Sequence, residues 1–395
     1  MAEELKGLSR WALLIVSPVA WLSFAMMPYE VVSLAQRLSI TEAQSANITS
    51  CEMLALSVLT WVSGRYVTRF EKRQMALMGI LVALAGIAVS FFGHDYYTIL
   101  VGKIILGAGG GIITAATNAI PALFKGPERL FAEMFASMAV MIAAIMYITP
   151  SLAPYFGQRD VEIVEASLMV IALSFTLYLP RERRRASEQY RDGVTSTQSV
   201  KLPRKIYFAI SALLISIFMQ FIFQGVGWSF SMVAATPFHL SESTISNALT
   251  ISAVLQLPCA LIVAWLGVKA GIAKPLIIST ILVLLMIWGL FFTANSTVFV
   301  IALALSAVPG TIAYPYLLGL LSDVDTTGRS AALAGGFVNF GGAAGPAIGG
   351  VFFSMAGLAG VGWSCFALIG FYSLFLIIGA STIFRKAKLE AALIN

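Results

Sequence analysis

The sequence predicts an all-α polytopic membrane protein, with twelve transmembrane helices in two six-helix bundles, and three observations carry that prediction. Of 395 residues 59% are hydrophobic and only 11% are charged, whereas a soluble domain is about 25% charged. Apolar runs long enough to span a bilayer, at roughly 20 residues each, recur along the chain. Finally, Lys and Arg fall almost wholly on one side of the resulting map.

The runs lie near 11–36, 44–66, 75–93, 97–122, 130–155, 161–179, 206–235, 243–268, 274–294, 297–321, 329–355 and 361–384, each bounded by charged or Pro/Gly-containing turns. Twelve crossings put both termini on one side. That side receives 22 of the 25 basic residues, Arg37 and Arg159 fall on the other, and Lys103 lies inside a span. By the positive-inside rule both termini are expected to be cytoplasmic, in a bacterial-type inner membrane. The net charge of +6 is then an orientation signal, and no nucleic-acid partner is expected. The amino terminus, MAEELKGLSR, is too polar and acidic for a cleavable signal, so the first span is read as its own insertion signal.

The polar stretch 181–205 divides six spans from six. It gives an N-terminal bundle over 1–180, a cytoplasmic linker, and a C-terminal bundle over 206–395. The halves carry a faint repeat about 200 residues long: Thr41, Glu42 and Asn47 against Ser241, Glu242 and Asn247, and Arg129 against Arg329. Thr41 with Gln44 has capping-box spacing. Cys51, Cys259 and Cys365 lie far apart in apolar runs and read as inert small hydrophobes.

These features resemble the major facilitator superfamily of secondary transporters. Its loop signature between the second and third spans, Gly-x-x-x-Asp-Arg-x-Gly-Arg/Lys, is matched in part by Gly64 through Arg73. Gly64, Arg69 and Arg73 keep the glycine and basic positions, Thr68 replaces the Asp, and Glu71 replaces the second Gly. The resemblance implies a conformational switch at Gly64, Arg69, Glu71 and Arg73, with Glu71 partly standing in for the missing Asp. The fourth span has Lys103 before Gly107, Gly109, Gly110 and Gly111, with Lys where many members have Arg. The fifth span lacks the glycines of the family's exporter signature, having only Pro150 and Pro154. The eleventh span, Gly335-Gly336 through Gly349-Gly350, is similar to the glycine-rich eleventh helix of the superfamily.

Ionisable groups in the apolar layer cost at least a few kcal/mol each, so they are functional candidates by default. Glu30, Glu52 and Lys103 qualify. At 1.5 Å per residue all three fall at similar depth in the outer half, as one possible charged cluster or a structural ion pair. The resemblance places the first and fourth spans on the cavity. Glu30 is the first choice for proton carrier and Glu52 the second, with Lys103 the anchor for an anionic group or the internal partner of Glu30. Glu133 and Arg129, one helical turn apart, read as a structural pair.

A helical face of the fourth span carries Lys103, Thr114 and Asn118, and one of the seventh carries Gln220, Gln224, Trp228 and Ser231. With Tyr314 and Asn339 they make the candidate substrate-binding set, against the alternative of ordinary interhelical hydrogen bonding. No phosphate-binding Gly-x-x-x-x-Gly-Lys-Ser/Thr run occurs, and His94 and His239 lack ligand spacing, so no enzyme, metal or cofactor is expected. The function expected is proton-coupled symport of a small organic acid or aromatic anion by a monomer in the lipid bilayer. The alternatives are a proton-driven efflux antiporter and, remotely, a membrane sensor or membrane-embedded enzyme.

Overall fold

The computed structural model describes residues 5, 7–67, 69–121, 124, 127–180, 204–266, 271–324 and 329–394. Thr68 and most of the 181–205 linker therefore lie outside the described residues, which contain helices and turns and no strand.

The first apolar run forms two helices, α1 (Gly7–Val19) and α2 (Leu22–Leu38), broken just after Pro18. Proline withholds the backbone N–H a continuous helix needs. The chain returns through α3 (Glu42–Tyr66), whose start is the capping box expected from the sequence. Thr41 Oγ1 accepts from the Gln44 N–H at 3.2 Å, and Gln44 Oε1 from the Thr41 N–H at 3.1 Å. Then follow α4 (Lys72–Phe92), α5 (Tyr96–Ala119), α6 (Pro127–Phe156) and α7 (Asp160–Thr176). Asp95 caps α5 by accepting from the N–H groups of Tyr97 and Thr98, both at 3.0 Å.

The second half repeats the pattern. It comprises α8 (Arg204–Ser229), the short α9 (Ser231–Ala235), α10 (Glu242–Leu266), α11 (Ala273–Phe291), α12 (Ser296–Ala304), α13 (Val308–Val324) and α14 (Arg329–Ile394). α14 is two helices joined end to end, because Ala356 and Gly357 leave the helical region and Gly357 takes φ +60°. With α1/α2, α8/α9 and α12/α13 each read as one interrupted crossing, the twelve runs become twelve crossings. Among the described residues nine helical segments are long and apolar enough to span a membrane. The count is lower because the two crossings of α14 merge, α3 carries many polar residues, and α7 has 17 residues.

The side carrying both chain ends is called the terminal face, and the opposite side the distal face. The bundles meet along their distal halves. Gly350 of α14 packs on Ala43 and Ala46 of α3, Ser50 donates a hydrogen bond to the Ala343 carbonyl, and Met27, Met53, Leu56 and Ala343 form a small apolar cluster with Phe24 and Trp228. Toward the terminal face Gly319, Gly335 and Gly336 have open space beside them. The conformation is closed distally.

Within the N-terminal bundle, glycines let α5 touch its neighbours backbone to backbone. A side chain on Gly107 would run into the Glu52 carbonyl, and one on Gly111 into that of Leu56. That approach brings the polar positions of α3 and α5 together in a bundle whose core is mostly Leu, Ile, Val, Met and Ala.

Candidate functional site

Four crossings each deliver one ionisable side chain to a single buried point: Glu30 from α2, Glu52 from α3, Lys103 from α5 and Glu165 from α7. All four are 0% exposed. Lys103 Nζ lies 3.0 and 3.2 Å from the two oxygens of Glu165 and hydrogen-bonds to both. It stands 3.3 Å from Glu30 Oε1 and 3.8 Å from Glu52 Oε2, within ion-pair range but without hydrogen-bond alignment. Glu52 lies against Glu30, and none of their four oxygens receives a hydrogen bond among the described residues.

The structure thus brings together Glu30, Glu52 and Lys103 and adds Glu165, which the sequence reading missed. Glu165 sits five residues inside the sixth apolar run, behind Asp160 and Glu162, so it looked like part of a polar helix start. The usable signal was its spacing. It falls one turn beyond Glu162, at the depth already assigned to Lys103.

A second charged set flanks the first toward the distal face. Glu162 accepts from Arg37 Nη1 at 2.7 Å and from Ser90 Oγ at 3.1 Å. Arg37 Nη2 donates to the carbonyls of Ser90, Phe91 and Gly93 at 2.9, 3.0 and 2.7 Å. These carbonyls close α4, where the last C=O groups lack helical partners. Arg37, read from sequence as an orientation signal alone, is a half-buried clamp.

Lys103, expected either as the anchor for an anionic group or as the internal partner of Glu30, has its ammonium among three carboxylates in this conformation, Glu30 being one of them. Glu133 is likewise engaged beyond its own helix, by a two-pronged contact from Arg10, while the side chain of Arg129 lies outside the description.

The C-terminal bundle contributes an uncharged polar face. Gln220 and Asn339 are buried, and Gln220 Oε1, Gln224 Oε1 and Asn339 Oδ1 receive no hydrogen bond among the described residues. Gly310 of α13 leaves room beside Gln224, since a Cβ there would lie 3.1 Å from its Nε2. Tyr314 meets Phe221 edge to face, with ring centroids 5.4 Å apart. Trp228 and Ser231 are engaged elsewhere. Trp228 stacks on Phe24 of the other bundle and donates Nε1–H to the Phe24 carbonyl at 2.9 Å, and Ser231 Oγ donates to the Trp228 carbonyl. On α5 the Thr114 hydroxyl donates to its own helix at Gly110, and Asn118 is exposed toward the terminal face.

Where α3 passes into α4, Gly64 is exposed in the last turn of α3, Arg69 lies over the Tyr66 ring at 5.4 Å, and Glu71 occupies the N-cap position of α4 without capping it through its side chain. Arg73 is half-buried in the first turn of α4.

Two bundles of six crossings with opposed polar interiors define a multi-pass membrane protein. A family model described as Major Facilitator Superfamily matches residues 12–235, and the chain belongs to that superfamily. Over 174 residues it is 26% identical to the multidrug resistance protein B homolog of Mycobacterium tuberculosis (strain ATCC 25618 / H37Rv), a match covering 40% of this chain and 31% of that protein. The chain thus spans about a third of the length of the curated relatives it matches. Among solved structures it is similar in fold to a D-xylose-proton symporter (TM-score 0.73, 14% identity, 93% of this chain and 96% of that one). Similar folds occur in a proton-dependent oligopeptide transporter (TM-score 0.72, 14% identity, 96% and 99%) and the nucleoside transporter NupG (TM-score 0.71, 14% identity, 95% and 99%).

Proposed function

We propose that the chain is a proton-coupled secondary transporter whose coupling protons reside on the Glu30–Glu52–Glu165–Lys103 cluster. The observation that carries this reading is the mismatch of one buried ammonium with three buried carboxylates. An uncompensated charge in such an interior costs several kcal/mol, so a near-neutral cluster holds two protons. Lys103 and Glu165, fully hydrogen-bonded to each other, form the standing ion pair. Glu30 and Glu52, with unbonded oxygens, hold the protons, one of them bridging the two carboxyls. A change in helix packing that moves Lys103 from Glu165 toward Glu30 and Glu52 displaces a proton from that pair, and Glu165, left without its cation, takes the proton up, so the cluster stays neutral; this transfer is the coupling step.

The solute is read as uncharged. Between 206 and 266, 272 and 321, and 333 and 382, the charged residues are Glu242 and Lys274, both at span ends. The face built by Gln220, Gln224, Tyr314 and Asn339 offers carboxamides and a phenol, which suit a small polar molecule with hydroxyl or amide groups. This replaces the organic acid as first choice. The positive-inside pattern orients both termini to the cytoplasm, so this conformation is closed to the outside.

Proteoliposomes with an internal pH dye test the coupling. Uncharged solute driven in by an inward proton gradient should acidify the lumen, and Glu30→Gln or Glu52→Gln should abolish gradient-driven accumulation while preserving solute exchange. Accumulation unchanged in both variants refutes the assignment. A second reading, export of amphipathic compounds, is favoured by the match to a protein named for multidrug resistance. In the same vesicles it predicts solute leaving against the proton gradient.

A further inference from the structure

Two hydrogen bonds between the bundles share an unexpected feature: each ends on a backbone carbonyl that a proline has left without its helical partner. Pro28 lies inside α2 and Pro150 inside α6. A proline has no N–H to give to the carbonyl four residues earlier, so Pro28 frees the carbonyl of Phe24 and Pro150 that of Met146. The freed Phe24 carbonyl accepts Trp228 Nε1–H from α8 at 2.9 Å. The freed Met146 carbonyl accepts the hydroxyl of Ser246 from α10, and also the Tyr29 hydroxyl at 3.0 Å from within its own bundle. In both cases the donor comes from the opposite bundle and the contact lies in the distal half.

We propose that Pro28 and Pro150 build a two-point polar latch that holds the distal half of the bundle interface shut. A helix carbonyl with its usual partner can still accept a hydroxyl, as Ala343 does from Ser50, but it stays hydrogen-bonded when that donor leaves. A carbonyl freed by proline is buried and costly to leave bare, so it rewards whatever side chain closes over it. Met146 differs from Phe24 in keeping Tyr29 when the bundles part. That point therefore opens at low cost, whereas the Phe24 carbonyl depends on Trp228 or water. The prolines are positioning residues for the transport cycle: they set how long the distally closed state lasts without touching solute or proton. The proposal rests on the alternating-access part of the transport reading and not on proton coupling, because it concerns opening at fixed pH without a gradient.

The test uses the full chain in lipid nanodiscs, with the three native cysteines replaced by alanine and Ala46→Cys introduced under Gly350, where the residue is 0% exposed. Its alkylation rate by N-ethylmaleimide reports the open fraction. Trp228→Phe keeps the ring stack and removes the donor, and Ser246→Ala removes the other donor. Trp228→Phe should raise the rate by roughly tenfold, the upper range for one neutral hydrogen bond, and Ser246→Ala by roughly threefold, because Tyr29 keeps the Met146 carbonyl satisfied when the bundles part. Pro150→Ala restores an N–H that competes for the Met146 carbonyl and should raise the rate as well. The decisive result is the double variant. Pro150→Ala should add nothing in the Ser246→Ala background, since its effect runs through the bond already lost. Rates that multiply in the double variant, or that stay unchanged in all single variants, overturn the proposal. Spin labels at the exposed loop positions 94 and 294 read the same open fraction without a probe in the interface, and thermal melting of each variant shows that it is folded.

Discussion

Replacing Lys103 by methionine keeps an unbranched side chain of similar length but removes the one cation facing Glu30, Glu52 and Glu165. At 3.0 Å from Glu165, the direct attraction lost is roughly 5 kcal/mol with an effective dielectric constant of about 20. The protein has a cheaper response, because Glu165 can take up a proton. Supplying a proton at pH 7 to a carboxyl with an ordinary pKa of about 4.3 costs about 3.7 kcal/mol, and at pH 5 only about 1 kcal/mol. Those figures cap the destabilisation of Lys103→Met. The sign follows from linkage: on folding the variant takes up one more proton than the parent does, so its stability falls more steeply with rising pH, by about 1.4 kcal/mol per unit. The assay is equilibrium unfolding of the full chain in mild detergent at pH 5, 6 and 7, for Lys103→Met and for Lys103→Met/Glu165→Gln. The single variant should approach the parent as pH falls, and the double should track the parent's pH slope because it no longer needs the extra proton. A Lys103→Met deficit that is the same at pH 5 and pH 7 would refute the charge accounting on which the coupling model stands.

Arg37→Ala strips Glu162 of its cation and leaves three carbonyls at the end of α4 unclosed, so a loss of roughly 3–5 kcal/mol is expected in the same unfolding assay. Arg37→Lys should recover only part of it, because a single ammonium cannot reproduce the planar, multi-directional donor set. Gly107→Ala, which sets a methyl against the Glu52 backbone, should cost about 1–3 kcal/mol or more and displace Glu52, abolishing gradient-driven uptake. Gly335→Ala, with open space around it, should instead be neutral or gain up to about 1 kcal/mol from helix propensity. On the distal surface, hydrogen bonds from the Thr98 side chain and backbone hold the Asp95 carboxyl below the usual carboxylate range. Its capping contribution is present above the unfolded-state pKa and lost as pH falls through the lowered one, so Asp95→Ala should lower the melting temperature at neutral pH and converge with the parent in acid.

What the sequence made legible follows from how membranes punish polarity. Every run of apolar residues had to be a helix and every basic residue but Lys103 a topological marker, so the twelve crossings, the Thr41 cap and the common depth of Glu30, Glu52 and Lys103 could be read by counting at 1.5 Å per residue. Counting gives depth but not azimuth, and this is where the reading stopped. Glu165 has the right depth but follows Asp160 and Glu162, and only the rotation of α7 distinguishes the residue that meets Lys103 from the one that meets Arg37. Trp228 has the spacing of a cavity residue beside Gln220 and Gln224, yet a small turn of α8 aims its indole at the Phe24 carbonyl that Pro28 had freed. Arg37 counted as one charge on the sparse side of the map, although its side chain turns inward to close α4. In each case the missing information was which neighbour a helix face meets; for α3 and α5 backbone approach at Gly107 and Gly111 fixes it, and for α8 the approach of Gly345 in α14 to Gly225 does.

The two bundles divide the work along a line the charges already draw. The N-terminal bundle sets the Glu30–Glu52–Glu165–Lys103 cluster and the Arg37–Glu162 pair among its helices, and the C-terminal bundle keeps its few charges at span ends and offers carboxamides. A transporter built this way can let proton occupancy alter packing among α2, α3, α5 and α7 without placing a net charge in the path of the solute. The path from one half to the other then runs through the shared distal interface, where α2 carries both Glu30 and, six residues earlier, the carbonyl held by Trp228. A proton lost from Glu30 and a hydrogen bond lost at Phe24 are thus two events on less than two turns of one helix. That proximity gives the coupling a short physical route, and it predicts that Trp228→Phe loosens the stoichiometry of protons to solute as well as the distal closure. Simultaneous measurement of lumen acidification and solute uptake in one vesicle preparation should show more protons entering per solute in the variant. An unchanged ratio would confine Trp228 to closure and require the coupling to pass through α3 and Glu52 instead.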